Sequence, residues 1–204
     1  MYVEICYRLI LKQLVPDFSE NLDPNCYWST DTHINYLGGK ELSYQILNYI
    51  DNDFNREKLN KLIDEQMIIE SRKWPTCDLS SSDNWSYSDK ERLEYINEDT
   101  IYIFNKDLKD NLPEKFKFFS IRETEYYLNE NSLTTLKVLI LRDSSTNLLK
   151  EVLLGYFKET LLYWDHWYFN KELIEWYKPD IILEIRTERF LEGMETQIST
   201  ERIK

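Results

Sequence analysis

The chain has 204 residues, of which 42% are hydrophobic and 15% aromatic, so it is long enough to bury a sizeable core and is not of disordered composition. The 37 acidic and 25 basic residues give a formal net charge of −12, which repels phosphate backbones and anionic membranes and argues against nucleic acid as a partner. The three cysteines lack metal-ligand spacing and no Gly-rich phosphate loop is present, so no metal or cofactor is expected.

The sequence predicts no transmembrane segment, because no apolar run approaches the roughly 20 residues that a membrane-spanning helix needs. At the start of the chain, Glu4 comes early and Arg8 interrupts the apolar stretch, which is not typical of a signal peptide. Taken alone, these features indicate the cytoplasm, or a sequence that begins inside a longer protein.

Two helices are predicted in the first third of the chain, because apolar residues recur there at helical spacing. The first covers 37–54 and begins at Gly38-Gly39, and the second covers 56–69. The residues predicted to be buried are Leu42, Ile46, Tyr49, Ile50 and Phe54 in the first helix and Leu59, Leu62, Ile63 and Met67 in the second.

The middle of the chain is less regular. Residues 71–95 are rich in Ser, Asp and Asn and show little periodicity, which indicates a long loop or insertion. Residues 101–104 and 116–121 are predicted to form short strands.

The last third alternates strands and helices. Residues 136–141 form a nearly continuous apolar run, which is typical of a strand covered on both faces. Short links between alternating strands and helices predict parallel strands joined by right-handed crossovers, and hence a single α/β domain over 1–204, built as a three-layer sandwich with a mostly parallel, flavodoxin-like sheet. The elements that follow the first strand are a helix at 147–157, a strand at 160–164, a helix at 171–177 and a strand at 181–185.

Ser144 lies where the 136–141 strand ends and a helix is predicted to begin. Functional groups of parallel sheets gather at the carboxyl ends of the strands, and unpaired backbone N–H groups at a helix start can receive an oxyanion. Ser144 is therefore a candidate nucleophile, and Asn147 a candidate side-chain donor. Capping of the helix by Ser144 or Ser145 is the alternative, and it is the commoner role for serine at such a position.

Asp31 stands two residues before His33, which is one of only two histidines. In an extended loop that carboxylate can accept the Nδ1 proton of the imidazole, which leaves Nε2 as a general base toward a serine. The alternative is a surface turn in which Asp31 caps the following helix.

Aromatic residues surround the second histidine, His166, whose expected role is structural. Trp164 and Trp167 flank it, and flat aromatic faces of this kind suit the rings of sugars. These two tryptophans, together with Arg142, are candidate substrate-contacting residues.

Two blocks of the sequence, far apart in the chain, match the pattern of a known family. The first contains Asp31-Thr32-His33 followed by Gly38 and Tyr44, and it resembles the Asp-x-His-Trp-Asn…Gly…Ala-Tyr block of the SGNH-hydrolase-like alginate O-acetyltransferase family. The second, 137–193, is similar to that family's C-terminal block, with Arg-Asp-Ser at 142–144, Tyr-Trp-Asp at 163–165, Lys-Pro-Asp at 178–180 and Glu-Arg-Phe-Leu at 188–191.

The resemblance implies an SGNH-hydrolase-like fold in which Ser144 is the nucleophile, His33 the base and Asp31 its orienting carboxylate. It implies O-acetyl transfer or acetyl-ester hydrolysis on a carbohydrate or an acetylated small molecule, through an acyl-serine and without a cofactor. The enzymes of that family are exported. The resemblance therefore implies an exported protein, whereas the N-terminus indicates the cytoplasm.

A second hypothesis is a catalytically silent form of the same fold that binds a carbohydrate or a protein partner. Ile34 stands where the family usually has tryptophan, and the chain begins shortly before the first block. The net charge of −12 also makes a neutral glycan or a small acetyl ester a better substrate than a uronate polymer.

Overall fold

The computed structural model describes residues 22–26, 34–66, 69–73, 92–96, 105–117, 124–164 and 170–185. Four α-helices and seven strands lie within these ranges. The helices are α1 (Tyr36–Ile50), α2 (Arg56–Gln66), α3 (Lys150–Tyr156) and α4 (Lys171–Tyr177), and the strands are β1 (Ile69–Lys73), β2 (Arg92–Ile96), β3 (Asn105–Asp107), β4 (Glu125–Asn129), β5 (Lys137–Arg142), β6 (Glu159–Trp164) and β7 (Ile181–Ile185).

A five-stranded sheet in the order β3-β4-β6-β5-β7 forms the centre of the fold. β5 pairs in parallel with β6 and with β7, whereas β4 pairs antiparallel with β6 and with β3. Four of the five strands therefore run in one direction and β4 alone opposes them. The α/β class with a mostly parallel sheet, predicted from the sequence, is confirmed.

Hydrophobic side chains cover both faces of this sheet. One cluster joins α1, α2 and α3 to the first face, and a second joins α4 and the short turns at 109–116 to the other. Successive residues of β5 alternate between the clusters, with Val138 and Ile140 in the first and Leu139 and Leu141 in the second. β5 is thus buried on both sides, as its apolar run predicts, and the helices make the outer two of three layers.

The helix and strand predicted at 171–177 and 181–185 are found with those bounds. The side chain of Asn170 caps α4 by accepting a hydrogen bond from the N–H of Leu173 (3.1 Å). Lys178 ends α4 in the left-handed conformation, with φ at 52°. Asp180 then accepts from the N–H of Lys137 (2.8 Å), which ties the start of β7 to the start of β5.

Both early helices are shorter than the sequence predicted. α1 ends at Ile50 instead of Phe54, because the Asp51 side chain accepts from the N–H of Asp53 (2.9 Å) and forms a turn there. Tyr49, predicted to be buried, is 59% exposed. α2 ends at Gln66, and Ile69 belongs to β1.

The segment predicted as a long loop at 71–95 begins and ends in paired backbone. β1 and β2 form an antiparallel pair, with Ser71 opposite Glu94, so the two ends of the predicted loop are strands. Phe116, predicted to begin a strand, lies in a short 3-10 helix instead. Residues 74–91, the strand predicted at 101–104, residues 118–121 and Met67 lie outside the described residues.

β4 was not predicted, and it is the strand that breaks the parallel arrangement. The described residues between β3 and β4 form only short 3-10 helices, and the pairing of β4 with β6 sets Glu125 opposite Leu162. Glu125 therefore lies at the end of the sheet where β6 finishes. This position brings a charged residue to the carboxyl ends of the parallel strands.

Candidate active site

Ser144 lies just beyond the carboxyl end of β5, at the centre of the parallel part of the sheet. Arg142, the last residue of β5, is opposite Trp164 of β6 and Ile185 of β7, so the three strands end at one level. The chain passes from β5 to β6 on one side and later returns to β7 on the other. β5 thus lies where the strand order reverses, which is where α/β sheets form their binding crevices.

Ser144 begins a 3-10 helix of five residues, Ser144–Leu148, called the Ser144 helix below. The sequence predicted an α-helix from Asn147, but α3 begins only at Lys150. The run Ser-Ser-Thr-Asn favours local side-chain bonds to the backbone over α-helix, which accounts for the difference.

Asp143 caps the Ser144 helix, so neither serine does. Its Oδ1 accepts from the backbone N–H of Ser145 (2.8 Å) and from the Ser145 hydroxyl (2.5 Å). The commonest structural role for Ser144, that of N-cap, is therefore taken by its neighbour. The Ser145 amide, one of the backbone donors that a serine turn offers to an oxyanion, is already engaged.

We expect Asp143→Ala to lower the free energy of unfolding by about 1 kcal/mol, because the Ser145 amide loses its capping oxygen. Asp143→Asn keeps an acceptor at the same place and is expected to lose less. Urea unfolding followed by circular dichroism compares the two variants. Equal stability of both variants and the wild type would contradict the assignment of Asp143 as the cap.

A buried ion cluster lies under the Ser144 helix. The side chain of Arg142 is 4% exposed, pairs with Glu125 through Nη2, and donates from Nη1 to Oδ1 of Asn147 (2.5 Å). Lys150 pairs with the other oxygen of Glu125 (2.9 Å), and the hydroxyl of Tyr127 donates to that same oxygen (2.7 Å). The cluster therefore connects β4, β5, the Ser144 helix and the start of α3.

Glu125 is ionised in this cluster. Burial by itself raises the pKa of its carboxyl group, but the Lys150 and Arg142 cations outweigh burial and bring the pKa below its ordinary value. Among the described residues, Nε of Arg142 has no hydrogen-bond partner although it is buried. A buried donor without a partner costs free energy, and such groups concentrate where function constrains the structure.

The predicted substrate-contacting residues occupy different environments. Asn147 is exposed, whereas Arg142 is buried. Trp164 is half-buried at the end of β6, with its ring centroid 5.3 Å from the Arg142 guanidinium. Trp167 and His166 lie outside the described residues.

Two glycines hold the amino end of α1 against its neighbours. A Cβ on Gly39 would overlap the carbonyl oxygen of Leu148 and lie 2.7 Å from its carbonyl carbon. A Cβ on Gly38 would overlap the carbonyl oxygen of Cys26 in the same way. Only glycine permits this approach, so α1 touches the last residue of the Ser144 helix through backbone atoms.

Asp31 and His33 lie outside the described residues, but the chain that follows them is described from Ile34 onward. Asn35 is the N-cap of α1, and its Oδ1 accepts from the N–H of Gly38 (3.0 Å). The alternative in which Asp31 caps this helix is therefore wrong. The segment directly after His33 leads into the helix that contacts the Ser144 helix.

Sequence reasoning missed Glu125, Lys150 and the role of Gly39. Lys150 gave no local signal, because a lysine in an amphipathic helix usually lies on the exposed side. Its burial depends on a carboxylate partner. Nothing in the local sequence identifies that partner as Glu125, which is 25 residues away.

Within the described ranges, no group of three or more His, Cys, Asp or Glu residues is placed to hold a metal ion. In the same part of the chain, no helix has both the length and the apolar character that crossing a bilayer requires.

No protein-family model matches the sequence, and no curated protein does. Solved structures share its fold. PatB1 from Bacillus cereus, in a structure with a sulfonyl adduct, covers 85% of this chain at 16% identity with a TM-score of 0.59. A second PatB1 structure covers 94% with a TM-score of 0.52, and a DHHW family protein from Eubacterium siraeum covers 87% at 12% identity with a TM-score of 0.54.

This chain spans 65% of the first PatB1 structure and of the DHHW family protein, and 76% of the second PatB1 structure. At identities this low, the similarity establishes the fold alone.

Proposed function

We propose that this protein is an SGNH-hydrolase-like O-acetyltransferase or acetylesterase that uses Ser144, His33 and Asp31. The observation that carries the proposal is the contact between Gly39 and Leu148. It joins the helix that follows the Asp31–His33 segment to the helix that begins with Ser144. The contact supports the proposal because these two helices are more than 100 residues apart in the sequence and each adjoins one of the two segments that suggest a triad.

Four further observations support this function. Ser144 follows β5, the middle strand of the parallel part of the sheet, at the point where the strand order reverses, and Asp143 fills the role of helix cap. Asn35 fills the corresponding role at α1, which is the structural role considered for Asp31 as the alternative to catalysis. The shared fold with PatB1, an acetyltransferase of the SGNH-like type, makes acyl transfer the reaction class to test first.

The reaction proceeds in two halves. The Ser144 hydroxyl attacks the acetyl carbonyl, its proton passes to His33 Nε2, and the carbonyl electron pair moves onto the oxygen. Collapse of this tetrahedral intermediate breaks the bond to the leaving alcohol, which takes the proton from His33. An acceptor hydroxyl, or water, then attacks the acetyl-serine in the reverse sequence and regenerates Ser144.

A carbohydrate hydroxyl is the acceptor class we propose, with an uncharged glycan favoured over a polyanionic one. The net charge of −12 repels polyanions. Trp164, half-buried beside the site, offers an aromatic surface for a sugar ring.

The experiment that tests the nucleophile is covalent labelling with phenylmethylsulfonyl fluoride, because sulfonyl fluorides react with activated serine hydroxyls. We expect one added sulfonyl group in the wild type, mapped by peptide mass spectrometry to Ser144. Turnover of 4-nitrophenyl acetate is measured beside it and is expected to fall by at least about 10³-fold in Ser144→Ala and in His33→Ala.

Ser145→Ala is the matched control, because it removes the neighbouring hydroxyl and keeps Ser144. Labelling is expected to persist in this variant. Absence of both labelling and turnover in a folded wild type would contradict the proposal and would favour the silent binding form of the fold.

A further inference from the structure

Asn147 and Ser144 lie on one face of the Ser144 helix. A 3-10 helix has three residues per turn, so side chains at positions i and i+3 are eclipsed. Ser144 is half-buried and Asn147 is exposed. The 3-10 geometry thus places a carboxamide beside the candidate nucleophile, which an α-helix beginning at Asn147 would not do.

The Asn147 carboxamide has a defined orientation because a buried cation holds it. Nη1 of Arg142 donates to Oδ1 of Asn147 (2.5 Å), and the same guanidinium is fixed by its pair with Glu125. Since Oδ1 and Nδ2 are bonded to one carbon, anchoring Oδ1 on Arg142 turns the NH2 group away from the guanidinium. The NH2 group of Asn147 therefore points away from the protein interior, on the side of the helix that also carries Ser144.

Acyl transfer at Ser144 needs such a donor. In serine hydrolases the backbone N–H of the residue after the nucleophile commonly stabilises the oxyanion. Here that residue is Ser145, and its N–H donates to Asp143 (2.8 Å). The NH2 group of Asn147 is not held by Asp143 in this way. Arg142 donates to the carboxamide oxygen, and the NH2 group is the part that can donate to an oxyanion.

We infer that the Asn147 NH2 group stabilises the oxyanion formed at Ser144 and that Arg142 is the residue that positions it. The inference rests on the proposed function. In the tetrahedral intermediate the carbonyl oxygen bears the negative charge, and Nδ2–H of Asn147 donates a hydrogen bond to it without transferring a proton. Arg142 remains buried throughout and acts only through Asn147.

The test measures kcat and KM for 4-nitrophenyl acetate in Asn147→Ala and Asn147→Asp. We expect kcat to fall by about 10²- to 10³-fold in both, with KM changed by less than about threefold, as for loss of an oxyanion donor. Asn147→Asp retains a partner for Arg142, so folding is preserved while the N–H donor is lost. Asn48→Ala, an exposed asparagine on α1, is the matched control and is expected to keep its kcat.

The positioning role of Arg142 is tested by combining Arg142→Lys with Asn147→Ala. We expect Arg142→Lys to lower kcat by about tenfold in the wild-type background and to have no effect once Asn147 is alanine. An equal loss in both backgrounds would show that Arg142 is only structural and would overturn its assigned role. If Arg142→Lys does not fold, the Asn147 variants alone decide the donor role.

Labelling distinguishes failure of this inference from failure of the proposed function. Sulfonylation of Ser144 with unchanged kcat in the Asn147 variants would overturn the inference and leave the nucleophile in place. A wild type that is neither labelled nor active would overturn both.

Discussion

Gly39→Ala is expected to separate α1 from the Ser144 helix and to lower both stability and activity. The new Cβ would overlap the carbonyl oxygen of Leu148 and lie 2.7 Å from its carbonyl carbon. Both contacts are to backbone, so no side chain can rotate away, and one helix has to move. Overpacking of this kind costs about 1–3 kcal/mol or more, which exceeds the gain of about 1 kcal/mol from replacing glycine by alanine in a helix.

The measurement is urea unfolding by circular dichroism, with acetyl-ester turnover recorded at a urea concentration where the variant is folded. Turnover should fall further than the loss of folded protein explains, because the segment after His33 is displaced from Ser144.

Gly155→Ala on α3 is the matched control. Its Cβ would lie 3.3 Å from Cδ1 of Leu59 and 3.4 Å from Cγ1 of Ile63, which are side-chain atoms that can shift. The gain in helix propensity and the tight contact with these two buried side chains oppose each other, so the stability should change by no more than about 1 kcal/mol in either direction. Similar behaviour of the two variants would contradict the close backbone contact at Gly39.

The parallel part of the fold could be predicted because its signals are local. β5 is a continuous apolar run, and α4 and β7 are separated by Pro179 and Asp180, which mark a turn in the sequence itself. Each element could be recognised from fewer than ten residues. Their alternation was then enough to predict parallel pairing.

The antiparallel part could not be predicted, because pairing alone defines it. β4 carries Glu125, two tyrosines, Leu128 and Asn129, a mixture with no clear period. Only the ladder with β6 makes it a strand, and only the burial of Arg142 and Lys150 gives Glu125 its role. Pairs of residues that are far apart in the sequence cannot be recognised from a short stretch of it.

Only part of the candidate site could be predicted, because some of its geometry depends on bonds that the sequence pattern does not reveal. Ser144 follows a strand that the sequence identifies, so its position at the carboxyl end of the parallel strands could be predicted. The 3-10 helix at Ser144 is capped by the bond from Ser145 N–H to Asp143. In this helix Asn147 lies on the same face as Ser144, whereas the sequence predicted it at the start of an α-helix. Local side-chain bonds thus decided which groups share a face.

Glu125 balances two buried cations, and its removal is expected to have the largest electrostatic effect in the described part of the chain. The side chains of Arg142 and Lys150 are 4% and 9% exposed, and that of Glu125 is 13% exposed. Removing one partner of a buried ion pair leaves an uncompensated charge and costs about 3–5 kcal/mol. We therefore expect Glu125→Gln to lose about 3 kcal/mol or more of unfolding free energy near pH 7.

The loss should depend on pH in a defined direction. The pKa of Glu125 is lowered in the folded protein, so its carboxylate contributes stability that is fully present above the pKa of the unfolded chain. That contribution disappears as the pH falls from about 4.3, the ordinary value for glutamate, through the lower folded-state pKa. The difference between wild type and Glu125→Gln in urea unfolding should therefore shrink over this acid range.

Glu41→Gln is the control for an ion pair at the surface. Glu41 contacts Arg56 at 2.7 Å, but the two side chains are 33% and 54% exposed, so water screens the pair. Its loss should cost no more than about 1 kcal/mol. If Glu125→Gln costs as little as Glu41→Gln, the cluster under the Ser144 helix is not closed to water. Arg142 would then lack the fixed partner through which it holds Asn147, and the oxyanion donor would have to be sought elsewhere.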